Sequence, residues 1–454
     1  MKKLLLIVFA MMLVLLAGAA ALSMWFGQQA EIAFNSLLQK TGRHDLVTIS
    51  HSRYQRGWFS STAEISFSIA GIPASFVALN KIDHGPFPFF RAGVFTPLLA
   101  AIDSEITATA PELPAFPPLK SNSVIYLAGN SDTRIQLAPY KITTPDLDLH
   151  WLGATLTIAV SANRQQLVTE LLAPQLLAGY RDGVVSAKKV RLTLNSLEAD
   201  SGLTSGSFSL LDDKIDYESI KSNFALEGLH IACSINQDKG QLNADATWQF
   251  QLLSDGKINM GPGVLTMQTR KLDSVATQQF VNTLGALDKS EPATVFSKTL
   301  EFAANQAPRA PELEITKLSI VVSGGEVSGR AKLILDGSGK HISPSPLALL
   351  LALRGDLELS IPAELLKQTL APQIKKDIES YRARGALTAT DLTQLGPDTI
   401  DRIIDRAVPL YLSKNGLTRL LVEEKEQYKL RVSLRRGQLL INNQPWHGAF
   451  TKLP

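Results

Sequence analysis

The chain is 454 residues long, 45% hydrophobic and 19% charged, with one cysteine, which excludes a disordered tail and a disulfide-stapled miniprotein. Lys and Arg number 45 against 42 Asp and Glu, a net charge of +3, too small for a nucleic-acid binder, so no nucleic-acid partner is expected. The lone Cys233 rules out an intrachain disulfide and shares parity with Leu229, Ile231 and Ile235, the pattern of a small buried hydrophobe.

Met1, Lys2 and Lys3 open the chain, and no ionisable side chain follows from Leu4 until Glu31. The apolar stretch over residues 4–26 rises about 34 Å as a helix, enough to cross a hydrocarbon core of about 30 Å. The two lysines predict a cytoplasmic N-terminus, and Trp25 stands where an interfacial aromatic belongs. A cleaved signal peptide with an A-x-A-like site at Ala19 to Ala21 is the rival reading; the apolar residues that continue through Leu22, Met24, Trp25 and Phe26 favour an uncleaved anchor. Because Lys2 and Lys3 supply two of the three net charges, the body behind the anchor is nearly neutral, which argues against a polyanionic partner.

Period-two alternation dominates the rest. It begins at Ile65, Phe67 and Ile69 and recurs at Leu147, Leu149 and Trp151, and at Val190, Leu192 and Leu194. It is longest from Leu242 to Leu252 and returns at Ala331 to Leu335, Leu357 to Ile361 and Leu430 to Leu434. One-sided alternation predicts antiparallel strands with a single covered face, in contrast to the continuous apolar runs of a doubly wound parallel sheet. Helical spacing is expected over Arg164 to Gly179, Val275 to Leu287, Ala363 to Ala383 and Pro397 to Leu412. Leu156 to Tyr180 and Leu357 to Tyr381 each read as a strand passing into a helix, and both contain Leu-Ala-Pro-Gln, which suggests an internal duplication. Proline-rich connectors are expected near 111–120 and 338–346, and a C-terminal hairpin turning at Arg435 to Gly437, with Lys429, Arg431 and Arg435 on its outward side. The fold class is therefore α+β and β-rich: an N-terminal transmembrane helix, then an extended, curved, mostly antiparallel sheet with a few covering helices. Residues 1–40 form the anchor and stalk and 41–340 the β-rich body. Residues 341–454 form a second strand–helix module with the hairpin, packed on the same sheet.

Catalytic patterns are missing: there is no G-x-S-x-G, H-E-x-x-H, C-x-x-C or G-x-G-x-x-G. Gly337 to Lys340 lacks the first glycine and the Ser/Thr of a phosphate loop and reads as a turn, and the acidic run Asp212 to Glu218 reads as a solvated turn. Seven histidines lie scattered without ligand spacing, so no catalytic residue, metal or cofactor is expected. Two stretches are more particular. Tyr54, Arg56, Gly57, Trp58 and Phe59 place an aromatic pair after a glycine, and His84, Gly85, Pro86, Phe87 and Pro88 form a stiff turn. For both the expectation is structural, with Trp58 and Phe59 as core anchors and His84 hydrogen-bonded at a turn; contact with a partner or ligand is the alternative.

The run Tyr54 to Ser61, followed by an alternating strand and then His84 to Pro88 behind a lysine-led anchor, resembles the YdgA/YihF-like family of bacterial inner-membrane proteins of unassigned function. The resemblance implies a single-pass inner-membrane protein with a cytoplasmic N-terminus, a periplasmic body and no established activity. From these readings the expected function is non-enzymatic: an envelope protein binding a protein partner, or a lipid in a groove along the sheet. A self-associating homo-oligomeric scaffold is the alternative, and a hydrolase with a dispersed site a more distant one.

Overall fold

The computed structural model describes residues 18, 20–36, 38, 47–70, 74–86, 97–109, 116–143, 147–180, 183–198, 204–219, 222–256, 258–286, 292–384, 408–409, 412 and 420–446. By packing, the chain divides into two compact units, Met1–Glu198 with Gly206–Lys221, and Ala199–Ser205 with Ser222–Pro454.

In the first unit residues 20–36 form helix α1. Strands follow as β1 (Val47–Arg56), β2 (Ser60–Ile69), β3 (Ser75–His84), β4 (Leu98–Thr109), β5 (Leu119–Tyr126) and β6 (Ser131–Leu137). After them come β7 (Tyr140–Thr143), β8 (Leu147–Trp151), β9 (Ala154–Val160), β10 (Gln166–Tyr180), β11 (Gly183–Glu198) and β12 (Thr204–Ser219). The strands pair antiparallel in the order β1, β2, β3, β4, β5, β6, β9, β10, β11. Beyond the end of β9, β10 pairs with β8, which pairs with β7. Side chains of β11 and β12 meet at Asn195 with Ser207 and at Lys189 with Asp213, 3.1 and 2.6 Å.

The second unit continues with β13 (Asn223–Asp238), β14 (Gln241–Phe250), β15 (Leu252–Ser254), β16 (Asn259–Met260) and β17 (Gly263–Asp273). Helices α2 (Ser274–Ala286) and α3 (Pro292–Gln306) lead to β18 (Glu312–Val322) and β19 (Gly325–Leu335). Helix α4 (Pro346–Ala352), β20 (Leu353–Pro362) and α5 (Ala363–Ala383) precede β21 (Val422–Glu424), β22 (Gln427–Arg435), β23 (Gln438–Ile441) and β24 (Gln444–Pro445). The main ladder is again antiparallel: β13, β14, β17, β18, β19, β20, β22, β23. Local chemistry sets its helix ends. Asp273 caps α2 by accepting the Ala276 N–H at 2.9 Å, and the buried Gln306 side chain accepts the Asp273 N–H at 2.7 Å, tying the end of α3 to the start of α2. Ser345 caps α4, whose first residue is Pro346.

The β-rich antiparallel expectation and the C-terminal hairpin therefore hold, as do helices near 274–286 and 363–383. Three expectations are corrected. Residues 164–179 are not a helix: Arg164 adopts φ 60° in a tight turn, and Gln166–Tyr180 is strand β10. Leucines and alanines on both of its faces mimic helical spacing, and Pro174, which lacks an N–H, sits in the gap where β10 changes partner from β9 to β8. This removes the structural parallel between 156–180 and 357–381, because only the second segment passes from strand to helix. The acidic run at 212–218 lies within β12 rather than in a turn, with Asp212 buried and accepting the Lys214 N–H at 2.8 Å; burial pushes its carboxyl pKa up. Helix α3 was not legible in advance; Pro292 at its start and Val295, Thr299 and Phe302 along one face were its signals. Of the helix expected over 397–412, only residues 408, 409 and 412 are described, and they are helical.

Among the described residues, some of the buried hydrophobic side chains gather in two small clusters. One joins Ala63, Ile82 and Ala100 to Phe34 of α1 and to Tyr54, Ile102 and Ile125. Another joins Ile374 of α5, Val408, Leu412 and Tyr428. Among the described residues no helix is long and apolar enough to cross a membrane. Residues 4–17, where the sequence places most of the expected span, lie outside them.

Candidate functional site

The signature segments converge where α1 lies on the first hairpin. β1 and β2 are joined by a tight turn in which the Gly57 N–H donates to the Ser60 carbonyl at 2.9 Å, and a Cβ at Gly57 would strike that carbonyl. The His84 N–H donates to the Phe59 carbonyl at 2.8 Å, so the end of β3 is bound to this turn. Gly85 then donates to the Leu99 carbonyl at 2.7 Å, and the backbone there leaves no room for a side chain: Leu98 C and Leu99 O would each lie 2.9 Å from a Cβ.

Helix α1 closes over this frame. Gly27 presses on the His84 imidazole so closely that a Cβ would lie 2.7 Å from Nδ1. One turn on, Glu31 pairs with Arg56 at 3.1 Å, and Phe34 packs on Tyr54 with ring centroids 5.2 Å apart. His84 is 4% exposed, and its Nε2 lies 2.9 Å from Ser61 Oγ. Its Nδ1 has no well-aligned partner, and the Tyr54 hydroxyl and Ser23 Oγ are buried in the same condition. Desolvation holds the His84 pKa below its ordinary value, against the opposing pull of the Trp58 and Ser23 main chains and of Asp83. Burial likewise raises the Tyr54 pKa, with the Ser61 hydroxyl acting against it. Ser61 and His84 have the composition of a nucleophile–base pair. Both are buried, His84 beneath Gly27 of α1, so the pair belongs to the join between helix and sheet.

Trp58 and Phe59 are not core anchors. They are 68% and 61% exposed at the tip of the hairpin, because the Gly57 turn carries their side chains beyond the last strand pair, Arg56 with Ser61. His84 is buried beneath a helix, a neighbour that no local pattern announces. Pro86 follows Gly85 through a cis bond, and Phe87 and Pro88 lie outside the described residues.

The sheet faces form the second candidate feature. Cys233, Ala246, Met267, Ile315, Ala331, Leu357, Val432 and Ile441 stand opposite one another in register across eight strands, and only Ile441 of the eight is buried. Ile231, Trp248, Leu265, Leu318, Leu359 and Leu430 run beside them, with Gly329 between Leu318 and Leu359. In the first unit the rows Ile65, Ala78, Ile106, Leu119 and Ile135, Leu156, Leu171, Leu192 repeat the arrangement. Two troughs of about 850 and 380 Å³ also lie along the sheets; charged and polar residues line both, and the smaller is lined as well by Leu318, Gly329, Leu359 and Leu430 of the second row. In the larger one Arg53 stands opposite Glu64, Lys81 opposite Asp103, and Glu105 opposite Lys120, while Arg134 stands opposite Asn122, so three of its four cations face a carboxylate across the strands.

Among the described residues no group of three or more His, Cys, Asp or Glu side chains could hold a metal ion. The geometry thus defines a class: an antiparallel, β-rich protein with partly covered apolar sheet faces and an N-terminal helix latched to its first hairpin. The chain belongs to a family of bacterial proteins of unknown function, DUF945, whose model matches residues 1–447. No curated protein and no solved structure matches it. Membership of a bacterial family without an assigned function is the coarser part of the resemblance read from residues 54–61 and 84–88.

Proposed function

We propose that this chain is a non-enzymatic protein of the bacterial envelope, held in the inner membrane by residues 4–26 with its body in the periplasm, and that its apolar sheet face binds lipid acyl chains. The observation that carries the reading is the eight-strand row from Cys233 to Ile441, which leaves seven apolar or small positions only half-buried in one register. A partly exposed apolar row of this continuity is unfavourable in water and calls for an occupant. The smaller trough shares Leu318, Leu359 and Leu430 with the row beside the eight-strand one, and the larger is lined chiefly by charged and polar residue types, so the occupant is assigned to the row.

The test is to purify the full chain in mild detergent and analyse retained lipid by mass spectrometry. Phospholipid retained at about one or more per chain, and lost on Leu357→Gln with Val432→Gln, supports the proposal. Absence of retained lipid, together with chain-to-chain crosslinks through residues on this row, would overturn it in favour of a self-associating scaffold.

A further inference from the structure

The order of contacts along α1 fixes its direction relative to the first hairpin. Phe34 meets Tyr54, Glu31 meets Arg56, and Gly27 meets His84, whose main chain is bound to Phe59. Moving toward the N-terminus of the helix therefore means moving toward the hairpin tip, and the level of Ser23, which is buried, is the level of Trp58 and Phe59. At that level large apolar side chains point outward from both elements: Leu22, Met24 and Trp25 (53% exposed) from the helix, Trp58 and Phe59 from the turn. The preceding residues, 4–21, are uncharged and apolar.

We propose that the Trp58–Phe59 turn is a second membrane contact, seated in the head-group and upper acyl region of the bilayer from which α1 emerges. The proposal rests on the anchored reading above. On the anchored reading, a helix from Leu4 would rise about 33 Å by Trp25, so a span of about 30 Å would end at the level of the turn. Tryptophan favours that interface because its ring is apolar and its N–H can remain hydrated. The latch of Gly27 on His84, and of Glu31 on Arg56, converts a flexible tether into a fixed one, so two points rather than one orient the first sheet against the lipid.

The experiment uses the full chain, reconstituted in phosphatidylcholine–phosphatidylglycerol vesicles whose acyl chains are brominated near the head group, with tryptophan fluorescence as readout. Measured in a Trp248→Phe background, which removes the tryptophan beside the apolar row, Trp25 and Trp58 should carry the quenching among the remaining four. Trp58→Phe and Trp25→Phe should each remove roughly half of the quenching, and the double variant nearly all of it. Phe59→Trp, at a position equally free of packing, should add to it. Full quenching in Trp58→Phe and no gain in Phe59→Trp, in protein that still floats with the vesicles, overturns the turn contact and leaves the anchor standing. A wild-type chain that fails to float with vesicles overturns the anchor, and the turn contact with it.

Discussion

Alanine at position 85 is expected to unfasten β3 from β4. The new Cβ would fall on the Leu98 carbonyl oxygen, with Leu98 C and Leu99 O both at 2.9 Å, and every one of these atoms is backbone that cannot rotate aside. Relief requires the strands to part, which breaks the 2.7 Å bond from the Gly85 N–H to Leu99 and opens the site of Leu98, now fully buried. The lost bond contributes about 1 kcal/mol, the overpacking about 1–3 kcal/mol, and partial exposure of a leucine about 1 kcal/mol more. Together these give about 3–5 kcal/mol, in the large tail for single substitutions. With a urea slope of about 2–3 kcal/mol per M, the midpoint of the affected transition should fall by about 1–2.5 M. The assay is urea unfolding of the full chain in detergent, followed by circular dichroism and tryptophan fluorescence. Gly240→Ala is the control: its Cβ meets nothing within 4 Å, but φ is +75°, so backbone strain alone should cost about 1–2 kcal/mol. A Gly85→Ala shift within about 0.5 kcal/mol of zero, or smaller than that of Gly240→Ala, would refute the crowding argument.

The buried His84 makes the helix latch pH-sensitive. Its folded pKa is depressed below the unfolded value near 6.5, so the unfolded chain binds more protons between the two values and stability rises with pH across that window. The urea midpoint should be level above about pH 6.5 and decline below it, and His84→Gln should flatten the share of that decline due to this residue. Tyr54→Phe should leave stability unchanged or raise it by up to about 1 kcal/mol, because the hydroxyl it removes is buried without an aligned partner; a loss above about 1 kcal/mol in thermal or urea unfolding would expose a hidden one. Arg56→Ala should lower stability by less than about 1 kcal/mol, since the ion pair with Glu31 is more than a third exposed on both sides, and titration with salt should shrink that difference.

Alternation along single strands was enough to place most of the architecture. The runs at 242–250, 357–361 and 430–434 carry their strand identity in a period of two that no helix can satisfy, and the helix at 363–383 carries its own in apolar spacing. The same signal failed at 166–180, where apolar residues occupy both faces and the period becomes ambiguous. It failed again at 212–218, since a charged run says nothing about the strands beside it.

The residues at 54–59 and 84–86 were conspicuous from their chemistry alone, but their roles were decided by contacts between segments distant along the chain. Gly27 carries no signature of its own; it matters because the His84 ring occupies the space its side chain would need. Trp58 and Phe59 have the composition of core anchors and yet are exposed, because burial depends on what packs over a residue, and the turn at Gly57 carries these two side chains beyond the last strand pair. The apolar rows are of the same kind. Each strand contributes one unremarkable residue, such as Ala246 or Met267, and only the antiparallel register aligns eight of them into a continuous surface. Local periodicity is a property of neighbours in sequence, whereas a surface, a latch and an exposed tip are properties of neighbours in space.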